Sequence, residues 1–359
     1  IKNDTLSMFN ALVGPTATPA YYMSITMIFG SMFAGATSEG GAAVAFPVMT
    51  LIFNIAPPVA RDFSFMIQSV GMTAASFNIL FMRVHIVWTS VIYCTIGGLI
   101  GVTFGLEHVA PQLTPPYAKM YFVVIWASFA GALYWLNRIH DRPVYLTVNP
   151  TNTPEIWQSA DLVPHTWRIA ALVLNWKALT LLAGGFLGGI FTSMSGSGID
   201  ICSFALLTLY FRVSEKVATP TSVVLMAVNS FIAMCYRQFY MEGLHPEAWS
   251  FFVVCVPIVV IGAPMGALVG SYFHRLVLAG LVYFVDAAQL IGALAVVQPW
   301  SDLRCNASTR CTPGHLSGTS AAVFVSGSLA FYALQRVGEK ILLMNDEIET
   351  RTIAKSAAV

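Results

Sequence analysis

Apolar runs broken by Gly, Pro and charge fill most of this chain, near residues 21–37, 42–55, 58–82, 86–106 and 117–137, then 170–193, 199–213, 215–240, 248–274 and 276–297, with a lone run at 317–338. Between the two groups of five stands RIHDRPVYLTVNPTNTPEIWQSADLVPHTWR, rich in Pro, Asn, Thr and charge, which suits a solvated loop. Runs of this length predict membrane-crossing helices. The expected organisation is an N-terminal segment (1–20), a first transmembrane repeat (21–137), a polar linker (138–169), a second repeat (170–297), a polar loop (298–316), an extra helix (317–340) and a C-terminal tail (341–359).

The two groups of five are related. A shift of 158 lays FPVMTLIFNI (46–55) on FALLTLYFRV (204–213) with four identities, Ala60 on Ala218 and Ser64 on Ser222. A shift of 161 pairs Trp88 with Trp249, Gly101 and Gly105 with Gly262 and Gly266, and Gly131-Ala132-Leu133 with Gly292-Ala293-Leu294. This is an internal duplication. The second run of each group, at about 14 residues, is well short of the roughly 20 needed to span a bilayer. Five spans per repeat, or three spans and a re-entrant hairpin, both carry the chain across an odd number of times. The second copy then enters from the opposite side, so the expected fold is all-α, polytopic and built of inverted repeats, as in secondary transporters.

Composition narrows the class. The chain of 359 residues is 57% apolar and 10% charged, against roughly 45–50% and about 25% for a soluble domain. Its formal charge of +1 and lack of a basic run exclude nucleic-acid binding. With the N-terminus outside, Arg83, Arg138, Arg142, Arg168, Lys177, Arg212, Lys216, Arg275, Arg336, Lys340, Arg351 and Lys355 fall inside, 12 of the 18 basic residues, which fixes the expected orientation with the C-terminus inside. Residues 1–20, polar and carrying Pro15 and Pro19, do not read as a cleavable signal. Cys94, Cys202, Cys235 and Cys255 lie in apolar runs as buried small hydrophobes. Cys305 and Cys311 flank a polar loop holding the glycosylation sequon at Asn306; a second sequon begins at Asn3. In the expected orientation both sequons lie outside, with Cys305 and Cys311 a candidate disulfide.

Candidate chemistry gathers where each repeat breaks helix, in ATSEGGAAVAFP (36–47) and TSMSGSGIDICS (192–203). Gly40 and Gly41, and Ser195, Gly196, Ser197 and Gly198, let a ligand approach the N–H groups that open the next half-helix, where about half a positive charge resides. Two such ends from opposed repeats would form an anion site. Ser64 and Gln68 in one repeat, and Thr221, Ser222 and Asn229 in the other, stand at or near the following helix starts to complete oxyanion coordination, while Arg61 is expected to pair with Asp62. Glu39 and Asp200 beside the turns, and Asp286 with Gln289 a turn away, are candidates for carrying coupling protons, because a charge near mid-bilayer costs about 2.5–3.5 kcal/mol. Gly101-x-x-x-Gly105 and Gly262-x-x-x-Gly266 read as helix-packing motifs, and His85, His245 and His274 as interfacial residues. No Walker, HExxH or GxSxG motif is present, which argues against ATP-driven pumping and hydrolysis.

Glu39-Gly40-Gly41, Phe46-Pro47, Pro57-Pro58-Val59-Ala60 and Ser64, then Ser195-Gly196-Ser197-Gly198, Lys216-Val217-Ala218, Thr221-Ser222 and Asn229-Ser230, form a frame that resembles the sulfite exporter TauE/SafE family over about residues 22–297. TPTSVVLMAVNS is its most specific piece. The resemblance implies a two-repeat permease without a cofactor, moving sulfite, sulfonates or related organosulfur anions with proton coupling. The usual three glycines are reduced here to EGGA and SGSGID, with acids beside them. The alternative from another class is a transporter-derived structural or accessory subunit; expected partners are a small anion, the lipid bilayer, and either a second copy or a membrane complex.

Overall fold

The computed structural model describes residues 17–138, 167–169, 172–174, 176–301 and 312–357. Asn3, Asn306, Cys305, Cys311 and most of the linker lie outside the described residues. The first half comprises α1 (Ala17–Ala36), α2 (Ala42–Pro47, prolonged by a π turn, Val48–Ile52), α3 (Pro57–Phe81), α4 (Trp88–Phe104, prolonged to Gln112) and α5 (Pro115–Arg138). The second comprises α6 (Trp176–Ser195), α7 (Ile199–Ala205, prolonged by a π turn, Leu206–Tyr210), α8 (Glu215–Phe239), α9 (Pro246–Tyr272) and α10 (Arg275–Val297). A short antiparallel pair, Trp167–Ile169 with Leu172–Leu174, precedes it, and α11 (Pro313–Ala357) follows.

Breaks fall where the side chains dictate. Pro57 and Pro246 sit in the first turn of α3 and α9, where a missing N–H costs nothing. The Ser214 hydroxyl accepts from the Lys216 N–H at 3.3 Å to start α8. α3 and α8 both have 25 residues and begin 158 positions apart. The two π turns keep the same shift, and two residues beyond each stands a residue at positive φ, Asn54 at 52° and Arg212 at 56°.

α1/α2 and α6/α7 are antiparallel hairpins. Gly188 abuts Ile199 and Cys202, and Gly184, earlier in α6, abuts Leu206, later in α7. In the first half Gly30 likewise faces Val44. The short arm Ala42–Ile52 reaches about 16 Å at 1.5 Å per residue, too little to cross a bilayer.

Each hairpin lies against a helix of the other half. Gly97 and Gly101 of α4 press on α6 backbone at Leu182 and Phe186, while Gly262, Gly266 and Gly270 of α9 press on α1 at Ser31, Met32 and Ala36. The small-residue motifs therefore serve close packing between halves. α3 and α8 cross between them, with Ser230 Oγ donating to Gln68 Oε1 at 3.4 Å. α5, α10 and α11 form an outer layer, tied by Asn137 Nδ2 donating to Tyr283 Oη at 3.0 Å and Arg212 Nη2 donating to the Gln335 carbonyl at 3.1 Å.

Eight described helices are long and apolar enough to cross a membrane. Phe29, Ile52, Phe77, Phe81, Phe284 and Ile291 face outward, an apolar surface that water does not tolerate at this density. The chain is a multi-pass membrane protein. α11 runs on to Ala357 where a separate tail from residue 341 is expected, because Glu, Lys, Leu, Ile and Ala beyond Gly338 favour helix and no Gly or Pro stops it.

Candidate functional site

The two hairpin tips touch. Ser197 Oγ lies 3.3 Å from the Glu39 carbonyl oxygen, and a Cβ placed on Gly40 would stand 3.2 Å from Asp200 Oδ2. Gly40 and Gly196 hold φ of +72° and +92°, a region that excludes most side chains, and this is what turns each hairpin back.

The second tip is closed on itself. Asp200 accepts the Gly198 N–H at 2.7 Å and the Ser197 hydroxyl at 2.5 Å, so an internal carboxylate occupies the N-terminal end of α7. Ser195 Oγ donates to the Ser197 carbonyl at 2.9 Å, and Gln68 Nε2 of α3 donates to the Gly196 carbonyl at 3.1 Å. Ser64, fully buried, packs under Gly196 and donates to the Ala60 carbonyl of its own helix. Thr221 donates to the Val217 carbonyl and accepts the Val87 N–H at 3.1 Å, Ser222 pairs with Ser203, and Asn229 Nδ2 donates to Thr95 Oγ1 and the Leu225 carbonyl. Ser64, Ser195 and Thr221 thus spend their hydroxyl hydrogens on protein carbonyls.

The first tip differs. Gly41 has an ordinary φ of −68° and its α2 start carries no side-chain cap. Glu39 is fully buried, and its carboxyl neighbours that of Asp286 on α10, with Asp200 a further close charge. The structure therefore gathers the three acids singled out along the chain. The Glu39 and Asp286 carboxyls have each other as polar neighbours and no other described hydrogen-bond partner, and both amide atoms of Gln289, one turn from Asp286, are unpartnered. Beside this tip lies a cavity of about 260 Å³, lined by Thr37, Ser38, Ile79, Lys216, Thr219 and Pro220 among others.

Arg61 makes the expected local pair, its Nε and Nη2 at 3.2 and 3.0 Å from Asp62 Oδ1. The sequence gives no sign of the two further partners on Asp62 Oδ2: His245 Nδ1 at 2.6 Å and Arg237 Nε at 3.5 Å. They stand 175 and more positions away on other elements, and no spacing rule connects them.

An apolar-surfaced helical bundle of two alike halves, with two broken hairpins meeting beside buried acids, is a polytopic membrane protein of the transporter class. The chain matches the sulfite exporter TauE/SafE family model over residues 23–288, most of its length, and belongs to that family of membrane transporters, which are not enzymes. No curated protein and no solved structure matches it.

Proposed function

We propose that this protein is a proton-coupled secondary transporter of a small anion, sulfite, a sulfonate or a related organosulfur anion. Its halves lie inverted in the bilayer, with the N-terminus outside and the C-terminus inside. The observation that carries this reading is the meeting of the two hairpin tips beside a pair of buried carboxyls, Glu39 and Asp286, that have no described hydrogen-bond partner other than each other. A polar group in such a place is costly unless it is used.

In this reading the anion enters the cavity past Lys216 and Thr219 and reaches the first tip, where Gly40 and Gly41 allow close approach to the N–H groups of α2. Ser197 and Gly198 of the second tip lie across the contact, Ser64 and Gln68 brace that tip at Gly196, and Thr221, Ser222 and Asn229 of α8 tie the helix to Val87, Ser203 and Thr95. Glu39, Asp286 and Asp200 carry the proton. Adjacent buried carboxyls disfavour double ionisation, so proton occupancy and substrate charge are linked. Loading a proton beside the tip makes room for the anion's negative charge, and releasing it on the other side reverses the preference.

One observation favours a second reading, an accessory subunit derived from a transporter: Asp200 already fills the α7 end that an anion would use. Uptake of radiolabelled sulfite into proteoliposomes, with and without a pH gradient, separates the two. Gradient-driven uptake by the wild type, lost in Asp286→Asn, is the expected result. Folded wild type that carries no sulfite, sulfate, taurine or sulfoacetate would establish the accessory role.

A further inference from the structure

Asp62 is fully buried near the start of α3 and is shared by two guanidinium groups, Arg61 and Arg237, whose side chains are 9% and 8% exposed. The His245 backbone N–H and ring complete its shell at 3.2 and 2.6 Å. Two positive charges therefore stand against one negative, and the Arg237 Nε makes no hydrogen bond. Buried charge left in excess is expensive unless a counter-ion reaches it. The planar guanidinium fork matches the paired oxygens of an oxyanion.

The position of this cluster gives the excess a use. Advancing Arg61 and Asp62 by the 158-residue repeat lands on Thr219 and Pro220; moving Arg237 back by the same step lands on Ile79. All three counterparts line the cavity beside the first tip. The ion cluster thus occupies, beside the second tip, the place that its repeat mate leaves open. Contact continues inward: the Arg61 carbonyl lies 3.1 Å from where a Gly196 Cβ would be, and Gln68 binds the Gly196 carbonyl.

We propose that Arg61 and Arg237 form an oxyanion-binding subsite beside the second tip, and that the Asp62 carboxylate stands in for the substrate there until a small oxyanion such as sulfite or sulfate displaces it. This rests on the reading of the chain as an anion transporter and adds a residue, Arg237, that the sequence does not single out. Arg237 binds the ligand, while Asp62 competes for the same donors.

The test uses the full chain, purified and reconstituted, with two readouts: the concentration dependence of sulfite uptake, and the rise in melting temperature caused by sulfite or sulfate. Arg237→Gln is expected to raise KM about tenfold or more with kcat within about threefold, Arg237→Lys to raise it about three- to tenfold, and Arg336→Gln, which removes an exposed charge from α11, to match the wild type. A KM within twofold of wild type for Arg237→Gln, or a fall in kcat with KM unchanged, overturns the subsite. Should that variant not fold, Arg237→Lys decides on the same KM criterion. If the wild type carries no anion, the transport reading falls and the melting data judge the site alone. Stabilisation present in the wild type and Arg336→Gln but absent in Arg237→Gln upholds it, whereas an equal shift in all three, or none in any, overturns it.

Discussion

At the tip of α6/α7 the polar groups are engaged: Asp200 takes Ser197 and the Gly198 N–H, Ser195 takes the Ser197 carbonyl, and Gln68 takes the Gly196 carbonyl. At the corresponding tip of α1/α2 the Glu39 carboxyl is just as deeply buried, yet it has no described partner beyond the neighbouring Asp286 carboxyl, and Thr37 and Ser38 border the cavity. The backbone turns alike at both tips, through Gly40 and Gly196 at positive φ, while the side-chain chemistry differs. A satisfied polar network rigidifies, and an unsatisfied one is retained where it serves something other than stability. On the proposed reading the second tip is the more rigid and the first the more open to substrate.

If that contrast holds, stability is far more sensitive at the second tip. Asp200→Ala removes the acceptor of two charge-assisted bonds, leaves the buried Gly198 N–H unpaired and leaves the Ser197 hydroxyl only the longer contact to the Glu39 carbonyl, so a loss of about 3 kcal/mol is expected from thermal unfolding in detergent. A melting temperature unchanged in this variant would break the comparison outright. Gly196→Ala comes next at about 2–3 kcal/mol, since φ is +92° and the new methyl would strike Ser64. Gly40→Ala meets the flexible end of Met226 and is expected to lose less, and Gly41→Ala, at ordinary φ with its nearest neighbour 3.7 Å away, almost nothing. An inverted order in this glycine series would mean that the first tip is the more rigid. Gln68→Leu loses the bond that α3 makes to the Gly196 carbonyl, worth about 1–2 kcal/mol, and is checked by the same unfolding measurement.

Much of this architecture is legible in the chain. Long apolar runs, glycine breaks and the 158-residue self-match give the helices and the position of both turns, because bilayer thickness and backbone hydrogen bonding leave few alternatives, whereas the pairing of α4 with α6 and of α1 with α9 appears only in the structure. Glu39, Asp200 and Asp286 are legible one by one, since each is an acid in or beside an apolar run. That the first and last neighbour each other depends on α10 packing beside the first hairpin, a long-range fact that periodicity does not encode. The Asp62 cluster was hidden for the same reason: Arg237 and His245 sit at the end of α8 and the start of α9, where a basic residue reads as an interfacial one. Sequence also leaves the hydroxyl orientation open: a buried hydroxyl on a helix readily finds the carbonyl four residues back, as Ser64 and Thr221 do at 2.8 and 2.7 Å.

Glu39→Gln is expected to have the smallest effect on stability and so separates the two tips most cleanly. The amide can still donate to the neighbouring Asp286 carboxyl, and replacing an ionisable group by a neutral amide removes a desolvation penalty, so the melting temperature should equal or exceed that of the wild type. Transport should respond in the opposite sense. Without a carboxyl at this position the proton and the anion are no longer exchanged at one place, and sulfite uptake should lose its dependence on the pH gradient while uptake down a sulfite gradient persists. Measuring both quantities on one preparation matters, because a variant that loses stability and gradient dependence together would be a folding defect. A stable variant with intact gradient dependence would move the coupling to Asp286 or Asp200, and Asp286→Asn in the Glu39→Gln background would then show which of the two carries it, through a coupling energy that differs from additivity only if the neighbouring pair acts as a unit.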